Sequence, residues 1–190
     1  MSTDNSSRAT LPATLNLFGS DGRVESPFRG DWQVAPASSA AFSQKSMWGL
    51  FAARGTFTGI TGEARITDDG YVTGTLTVDA ESLTTKHDRL TTHLLAADFF
   101  DVANHPTIDF VAHCVGPDRP DRATVNGHLT ILGKTQHISF PVQTRLERRN
   151  EVAVTGSTTV NRNDYGMSFD NLHSLRGLTT VAFSLHLTRQ

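Results

Sequence analysis

The sequence has little cysteine, little excess charge and no long hydrophobic run. Its single cysteine, Cys114, cannot form an intrachain disulfide and excludes a metal site built from several thiolates. Seventeen Lys and Arg against nineteen Asp and Glu give a formal net charge of -2, so nothing electrostatic favours nucleic acid or an anionic membrane as a partner. Uninterrupted apolar runs such as Leu94 to Ala97 reach only four residues. We therefore expect neither a nucleic-acid partner nor a transmembrane protein.

A chain of 190 residues is long enough for one domain and a tail. Residues 1–30 are rich in Ser, Thr and Gly and predict a flexible N-terminal tail, which leaves residues 31–190 as the folded domain. Asp4 and Asn5 stand where a secretory signal would carry positive charge, and Pro12 interrupts the apolar residues that its core would need. These features predict a cytoplasmic protein.

From Asp31 onward, alternating apolar and polar residues predict a series of antiparallel strands. In residues 72–80 apolar positions alternate with Thr and Asp, as in a sheet with one face in water. The same period returns in residues 108–114, 123–131, 138–144, 152–160 and 181–187. Asp69-Gly70 predicts a hairpin, and Gly116-Pro117-Asp118 predicts another turn. Short strands at near-regular spacing indicate a sandwich or an up-and-down barrel.

Two features favour the barrel over the sandwich. Threonine dominates the outward positions, and glycine recurs within strands at Gly74, Gly127 and Gly156, where a tightly curved sheet needs bends or a close approach of backbones. Ordinary strand irregularity explains these glycines equally well. A small barrel is filled by its own side chains, whereas one of about eight strands leaves room for an elongated ligand. Composition alone leaves both cases open.

One segment departs from the strand pattern. Residues 84–100 place Leu90, Leu94, Leu95 and Phe99 at helical separations and predict a short helix. Thr84 or Thr85 is the expected N-cap, with Asp88 in the first turn.

The histidines and acids on this helix and just after it raise the question of a metal site. Their spacing contains no H-E-x-x-H pattern, so we expect no bound metal, and a metal-dependent enzyme using His93, Asp98 and His105 is kept only as an alternative. No G-x-S-x-G segment supplies a nucleophile, and Cys114 follows the inward alternation of Phe110 and Ala112, as expected for a small buried side chain. No catalytic residue is predicted.

Five segments, in order along the chain, carry a family resemblance. They are Gly55-Thr56-Phe57, the segment 82–85, the spacing D-F-F-D-x4-P-x-I-x-F from Asp98 to Phe110, G-x-L-T-x-x-G-x-T from Gly127 to Thr135, and R-x-D-Y-G from Arg162 to Gly166. Together they resemble the YceI-like family of lipid-binding proteins over roughly residues 31–188.

The resemblance implies an all-β fold, an extended antiparallel lipocalin-like barrel of about eight strands with the helical insertion around residues 84–100. Its interior would bind a long isoprenoid lipid with a polyprenyl or quinone-type tail, for sequestration, storage or transport, without an enzymatic reaction and without a cofactor. The expected apolar lining consists of Phe42, Trp48, Phe57, Leu76, Val78, Leu94, Phe99, Phe100, Ile108, Phe110, Leu129, Phe140, Val154 and Phe183.

Two polar residues, His93 and Arg162, are the candidates for contact with a lipid head group. The alternative for Arg162 is that its guanidinium anchors the local turn by hydrogen bonds. The chain departs from the family's R-D-x-H-L helix pattern, because Leu90-Thr91-Thr92-His93-Leu94 keeps only the last two residues, and it has Ser38-Ser39 where the family often has H-S. A filled barrel that acts as a stress or interaction protein is a further alternative, and a homodimer is left open.

Overall fold

A computed structural model describes residues 19, 21, 23–24, 28–45, 52–119, 121–167 and 177–190, without the side chains of residues 45, 52, 114, 115, 117 and 118. Its strands and its helix are β1 Gly30–Val34, β2 Ser39–Lys45, β3 Ala52–Phe57, β4 Ile60–Ile66, β5 Val72–Asp79, β6 Leu83–Thr85, α1 Asp88–Leu95, β7 Thr107–Arg119, β8 Arg122–Ile131, β9 Lys134–Arg148, β10 Glu151–Asn161 and β11 Leu178–Arg189. Ala80–Ser82 and Arg162–Tyr165 form short 3-10 turns.

Eight of these strands close into an antiparallel barrel, which confirms the predicted fold class. Their order is β1-β4-β5-β7-β8-β9-β10-β11, and the pairing of β1 with β11 closes the ring. The strand β11 is long enough to pair with β1 through residues 187–189 and with β2 through residues 180–184. The strands β3 and β6 extend the sheet beyond β2.

The strand registers define two ends of the barrel. At the first, called here the Trp32 end, lie Trp32 in β1 and the turns that join β4 to β5 and β9 to β10. At the second, called the α1 end, lie α1, the β8–β9 turn and the 3-10 turn Arg162–Tyr165. The strand β6 pairs with β3 and not with β7 among the registers of the described residues, so the sheet opens beside α1.

Glycine within the strands creates room for aromatic rings on neighbouring strands. A Cβ atom at Gly156 would lie 2.6 Å from Cζ of Phe183, its direct partner across β10 and β11. A Cβ atom at Gly127 would lie 2.6 Å from Cζ of Phe110 and 2.4 Å from the carbonyl oxygen of Val111. The reading of these two glycines as sites of close approach is therefore correct.

The helix is shorter than predicted. It runs from Asp88 to Leu95, with His87 rather than Thr84 or Thr85 at the N-cap position, although Asp88 does stand in its first turn. Thr84 and Thr85 belong to β6, which pairs with Phe57 and its neighbours in β3. Strand pairing overrides the helical propensity of this segment, because the backbone groups of three residues hydrogen-bond to β3 and are not available to a helix.

The turn predicted at Gly116-Pro117-Asp118 is also wrong. These residues continue β7, and Pro117 pairs with Ala123 beside a register shift. A proline is tolerated in a strand at such an irregularity, because the ladder there has no need of its missing N–H. Another register shift follows Ala112, after which Cys114 pairs with Asn126. The Cys114 side chain lies outside the described residues.

The packed core begins before residue 31. Val24 and Phe28 are each 1% exposed and belong to the same cluster as Trp32. The indole Nε1–H of Trp32 donates to the carbonyl oxygen of Phe28 at 2.9 Å. The predicted boundary therefore left two core residues in the tail. Among the described residues, no helix has both the length and the apolar character needed to cross a membrane.

Candidate functional site

The barrel encloses a cavity of about 500 Å³. Its wall includes Trp32 at one end and His93 and Arg162 at the other, so the cavity extends along the barrel. A volume of this size lies within the range of about 300–1,000 Å³ for small-molecule sites. Val152 and Val160 of β10 both line it, which corresponds to about 26 Å along the strand. The barrel is therefore hollow and not filled by its own side chains.

The predicted lining can be compared residue by residue with this wall. Every predicted apolar residue in the described part of the chain contributes to it, whereas Trp48 lies outside the described residues. These residues are Phe42, Phe57, Leu76, Val78, Leu94, Phe99, Phe100, Ile108, Phe110, Leu129, Phe140, Val154 and Phe183. They meet because period-two alternation sends one face of every strand into the same interior.

Phenylalanine rings form much of the wall in two groups. In the middle of the barrel, Phe140 lies between Phe110 and Phe183, with ring centroids 5.6 and 5.5 Å away. Toward the α1 end, Phe57 lies 5.5 Å from Phe100 in an edge-to-face contact and 6.1 Å from Phe42. Rings in such arrangements offer large apolar surfaces without a polar group to satisfy.

The helix α1 covers the opening between β6 and β7. Its residue Leu94 is 4% exposed and packs with Phe57 and Leu83. His93 is exposed on the same helix, contributes to the cavity wall, and has its ring centroid 5.1 Å from that of Phe99. The α1 end thus combines apolar rings with an imidazole at the edge of the cavity.

Arg162 is the charged residue buried most deeply at this end. Its side chain is 8% exposed and lines the cavity. Nε and Nη1 of its guanidinium are buried with no hydrogen-bond partner among the described residues. The prediction that these nitrogen atoms anchor the local turn is therefore not met by the described contacts. The backbone does hold the turn, since the Arg162 N–H donates to the carbonyl oxygen of Gly177 at 2.8 Å.

Tyr165 stands in the same 3-10 turn and was missed by the sequence reasoning. It is 2% exposed, and its hydroxyl is buried without a partner among the described residues. Burial raises the pKa of Tyr165 to about 12, and the negative charge of Asp164 contributes in the same direction. The R-x-D-Y-G pattern carried the signal, because it places an aromatic side chain three residues after the arginine.

The three residues of the metal-site alternative are not brought together. No group of three histidine, cysteine, aspartate or glutamate side chains in the described ranges is placed to hold a metal ion. His93 packs on Phe99, while His105 approaches Gly133 in the β8–β9 turn and Asp98 is exposed. The proposed set of His93, Asp98 and His105 is therefore not placed to hold a metal ion.

A different set of histidines meets on the outside of the barrel. Nε2 of His113 lies 2.6 Å from Nδ1 of His128, and the ring centroids of His128 and His137 are 5.7 Å apart. All three side chains are exposed. The hairpin turn at Leu132-Gly133 pairs His128 directly with His137. The sequence analysis overlooked this contact, which the register of the hairpin would have predicted.

Curated proteins of similar sequence include two UPF0312 proteins. One from Staphylococcus aureus is 32% identical over 116 residues, which cover 57% of this chain and 64% of that protein. One from Pseudomonas putida is 31% identical over 91 residues, which cover 45% of this chain and 47% of that protein. The chain therefore spans less than two thirds of the length of these relatives.

Solved structures share the fold. BcnA of Burkholderia cenocepacia matches with a TM-score of 0.72 and 18% identity, covering 80% of this chain and 98% of that one. A polyisoprenoid binding domain of Saccharophagus degradans matches with a TM-score of 0.68 and 16% identity, covering 84% and 98%. The model of the YceI-like domain matches residues 32–188, nearly the whole barrel, and this chain belongs to the YceI-like family.

Proposed function

We propose that the protein binds a long-chain isoprenoid lipid, with a polyprenyl or quinone-type tail, inside the barrel. The observation that carries the proposal is the cavity itself, a single space that extends from Trp32 to Arg162 and is walled mainly by apolar side chains. The Saccharophagus degradans domain with the same fold is described as polyisoprenoid binding, which supports the same ligand class.

The physical basis is the removal of a hydrocarbon from water. An isoprenoid tail forms no hydrogen bonds, so its affinity comes from burial of apolar surface. At about 0.3 kcal/mol per heavy atom, a tail of about twenty to forty carbons gains about 6–12 kcal/mol, before the loss of its rotational freedom is subtracted. The phenylalanine rings suit a branched, unsaturated chain, because their flat faces and edges pack against methyl groups and double bonds.

The ligand is held and not converted in this proposal. The polar groups in the wall of the cavity are threonine hydroxyl groups, the Gln44 amide, the Glu63 carboxylate, the His93 imidazole and the Arg162 guanidinium, and the proposal assigns none of them a reaction. Sequestration, storage and transport all use such a reversible complex. A cytoplasmic location and a homodimer stay predictions.

The first experiment identifies what the protein carries. Gently purified protein is extracted with organic solvent, and the extract is analysed by mass spectrometry. We expect an isoprenoid compound in near-stoichiometric amount. Protein that carries no lipid, and that also fails to bind an added polyprenol, would contradict the proposal.

A matched pair of variants then tests whether the interior is the site. Val154 lines the cavity, whereas Thr155, its neighbour in β10, is exposed on the outside. The Val154→Trp substitution narrows the cavity, and we expect it to weaken polyprenol binding at least tenfold. The Thr155→Trp control adds the same ring outside the barrel and should leave the affinity unchanged. Equal affinities of the two variants would place the ligand elsewhere.

A further inference from the structure

Arg162 puts a buried positive charge in the wall of a mainly apolar cavity. Its side chain is 8% exposed, and Nε and Nη1 have no partner among the described residues. None of the ion pairs found in the described part of the chain includes Arg162. A guanidinium stays protonated in proteins, so it cannot lower the cost of burial by losing its charge. The arrangement is unfavourable until an anion compensates it.

The backbone keeps this charge in place. The Arg162 N–H donates to the carbonyl oxygen of Gly177 at 2.8 Å, and the carbonyl oxygen of Arg162 accepts from the Met167 N–H at 3.2 Å. Gly166 adopts a φ of 81°, the left-handed conformation that ends the 3-10 turn. With the turn held on both sides, the base of the Arg162 side chain stays at the α1 end of the cavity.

No charge among the described neighbours of Arg162 compensates it. Asp164 is exposed, and its Oδ1 accepts from the side-chain amide of Asn161 at 3.0 Å. The residues that line the cavity beside Arg162 include Val160, Met167 and Thr179, none of which carries a charge. Within the described ranges no anion compensates Arg162, which favours an anion that enters with a ligand.

We propose that Arg162 binds the anionic oxygen group, a carboxylate or a phosphate, at one end of a long-chain lipid inside the cavity. The inference rests on the proposed function, since the lipid tail must occupy the interior. A charge-assisted hydrogen bond from a guanidinium to such a group is among the strong ones in proteins. A neutral alcohol, ester or quinone would leave the guanidinium charge uncompensated. The tail then extends from the α1 end toward Trp32.

The first test needs no substitution. Binding of one C20 isoprenoid tail to the wild-type protein is compared for the carboxylic acid, the monophosphate, the alcohol and the methyl ester of the acid. We expect the acid and the phosphate to bind about 10-fold to 100-fold more tightly than the alcohol and the ester. Inorganic phosphate without a tail should not bind at matching concentrations. Equal affinity for all four lipids would overturn the inference. Tight binding of inorganic phosphate would show that Arg162 binds an anion without a lipid tail, which would also overturn it.

Variants of arginine assign the preference to one side chain. In Arg162→Met the acid and the alcohol should bind within about twofold of each other, with the affinity for the alcohol retained or improved. Arg162→Lys keeps the charge and should keep part of the preference. Arg54 is an exposed arginine on β3, and Arg54→Met should leave the preference intact. A preference for the acid that persists in Arg162→Met would overturn the role of Arg162.

One internal competitor can be tested directly. Asp170 is the acidic residue in the segment 168–176, which lies outside the described residues. If Asp170 were the partner of Arg162, the wild-type protein would show no preference for the acid and Asp170→Asn would create one, and this result would overturn the inference. Loss of binding of all four lipids by the wild-type protein would instead contradict the proposed function, so the two failures are distinguishable.

Discussion

The two ends of the barrel are built from different chemistry. At the Trp32 end, Val24, Phe28 and Trp32 are each at most 2% exposed, and the indole N–H of Trp32 is satisfied by the carbonyl oxygen of Phe28. At the α1 end, Arg162 and Tyr165 are buried with side-chain polar atoms that have no partner among the described residues. Nε of Arg29 and Oγ1 of Thr144, toward the Trp32 end, are also buried without a described partner, but only at the α1 end do the described residues place a guanidinium in the cavity wall.

This difference indicates a division of roles. Close apolar packing, as around Trp32, stabilises a fold. Buried polar atoms without partners destabilise it, and they cluster where a ligand completes them. We therefore expect the Trp32 end to close the barrel and the α1 end, with Arg162 in the cavity wall, to be where a ligand enters. The predictions below test this division, beginning with the largest effect.

If the Trp32 end seals the barrel, removing the Trp32 side chain should lower the free energy of unfolding more than the other substitutions do. Trp32→Ala deletes a side chain that is 2% exposed and belongs to the core cluster with Val24 and Phe28. We expect the free energy of unfolding, measured by urea denaturation, to fall by about 3–5 kcal/mol. Tyr71→Ala is the control, because Tyr71 is 58% exposed, and it should change the free energy by less than about 0.5 kcal/mol. A loss below about 1 kcal/mol for Trp32→Ala would refute the sealing role.

Leu94 tests the opposite end. It is 4% exposed and fixes α1 against Phe57 and Leu83. Leu94→Ala should lower the free energy of unfolding by about 2–3 kcal/mol, less than Trp32→Ala, because fewer atoms are removed beside a cavity that already exists. It should also accelerate lipid release in a stopped-flow dissociation experiment, whereas Trp32→Ala should affect release less. Faster release from the Trp32 variant would reverse the roles of the two ends.

Alkaline pH should lower the free energy of unfolding through Tyr165 at the α1 end. Burial raises the pKa of Tyr165 to about 12, above the ordinary tyrosine value of about 10. The neutral phenol is favoured in the folded protein, so its contribution to stability is complete below pH 10 or so and is lost as pH rises through about 12. We expect about 1–2 kcal/mol of stability to be lost across this window. Tyr165→Phe should remove that part of the loss, as followed by unfolding at a series of pH values.

Acidic pH should lower the free energy of unfolding slightly, through groups at the Trp32 end. A hydrogen bond from Arg145 lowers the pKa of Glu147, and one from Thr67 lowers the pKa of Asp69. A depressed folded-state pKa contributes stability above the unfolded value that is lost as pH falls through the folded one. Both groups are exposed to solvent, so the acid-side loss should be slight. Glu147→Gln should reduce this loss when the free energy of unfolding is measured at a series of acidic pH values. An unchanged loss in the variant would contradict the contribution of Glu147.

Much of the fold was predictable because its signal is local. Alternation of period two in β5 and β10 needs only neighbouring residues to identify an inward face, and Asp69-Gly70 needs only its own turn chemistry. The errors arose where pairing with a distant strand overrides the local pattern. Thr84 and Thr85 pair with β3, and Pro117 continues β7 beside a register shift. Neither effect is visible in the segment itself.

The candidate site also contains residues that the local pattern predicts and residues that it does not. Phe110, Phe140 and Phe183 were predictable as lining, since each stands on an inward-facing position of its strand. Whether Arg162 hydrogen-bonds within its turn could not be predicted, because that depends on the direction of a long side chain after the strand has ended. The histidine contact between His113 and His128 depends on the shift of register after Ala112.

The amino-acid order by itself determined which faces of the strands are apolar, because the side chains of a strand alternate regardless of what lies around it. It also determined the family to which the segments from Gly55 to Gly166 belong. Only the tertiary structure decided that the interior stays hollow and that Val24 and Phe28 pack at the Trp32 end. Both outcomes depend on the distance between residues far apart in the chain, a quantity that closure of the sheet alone sets.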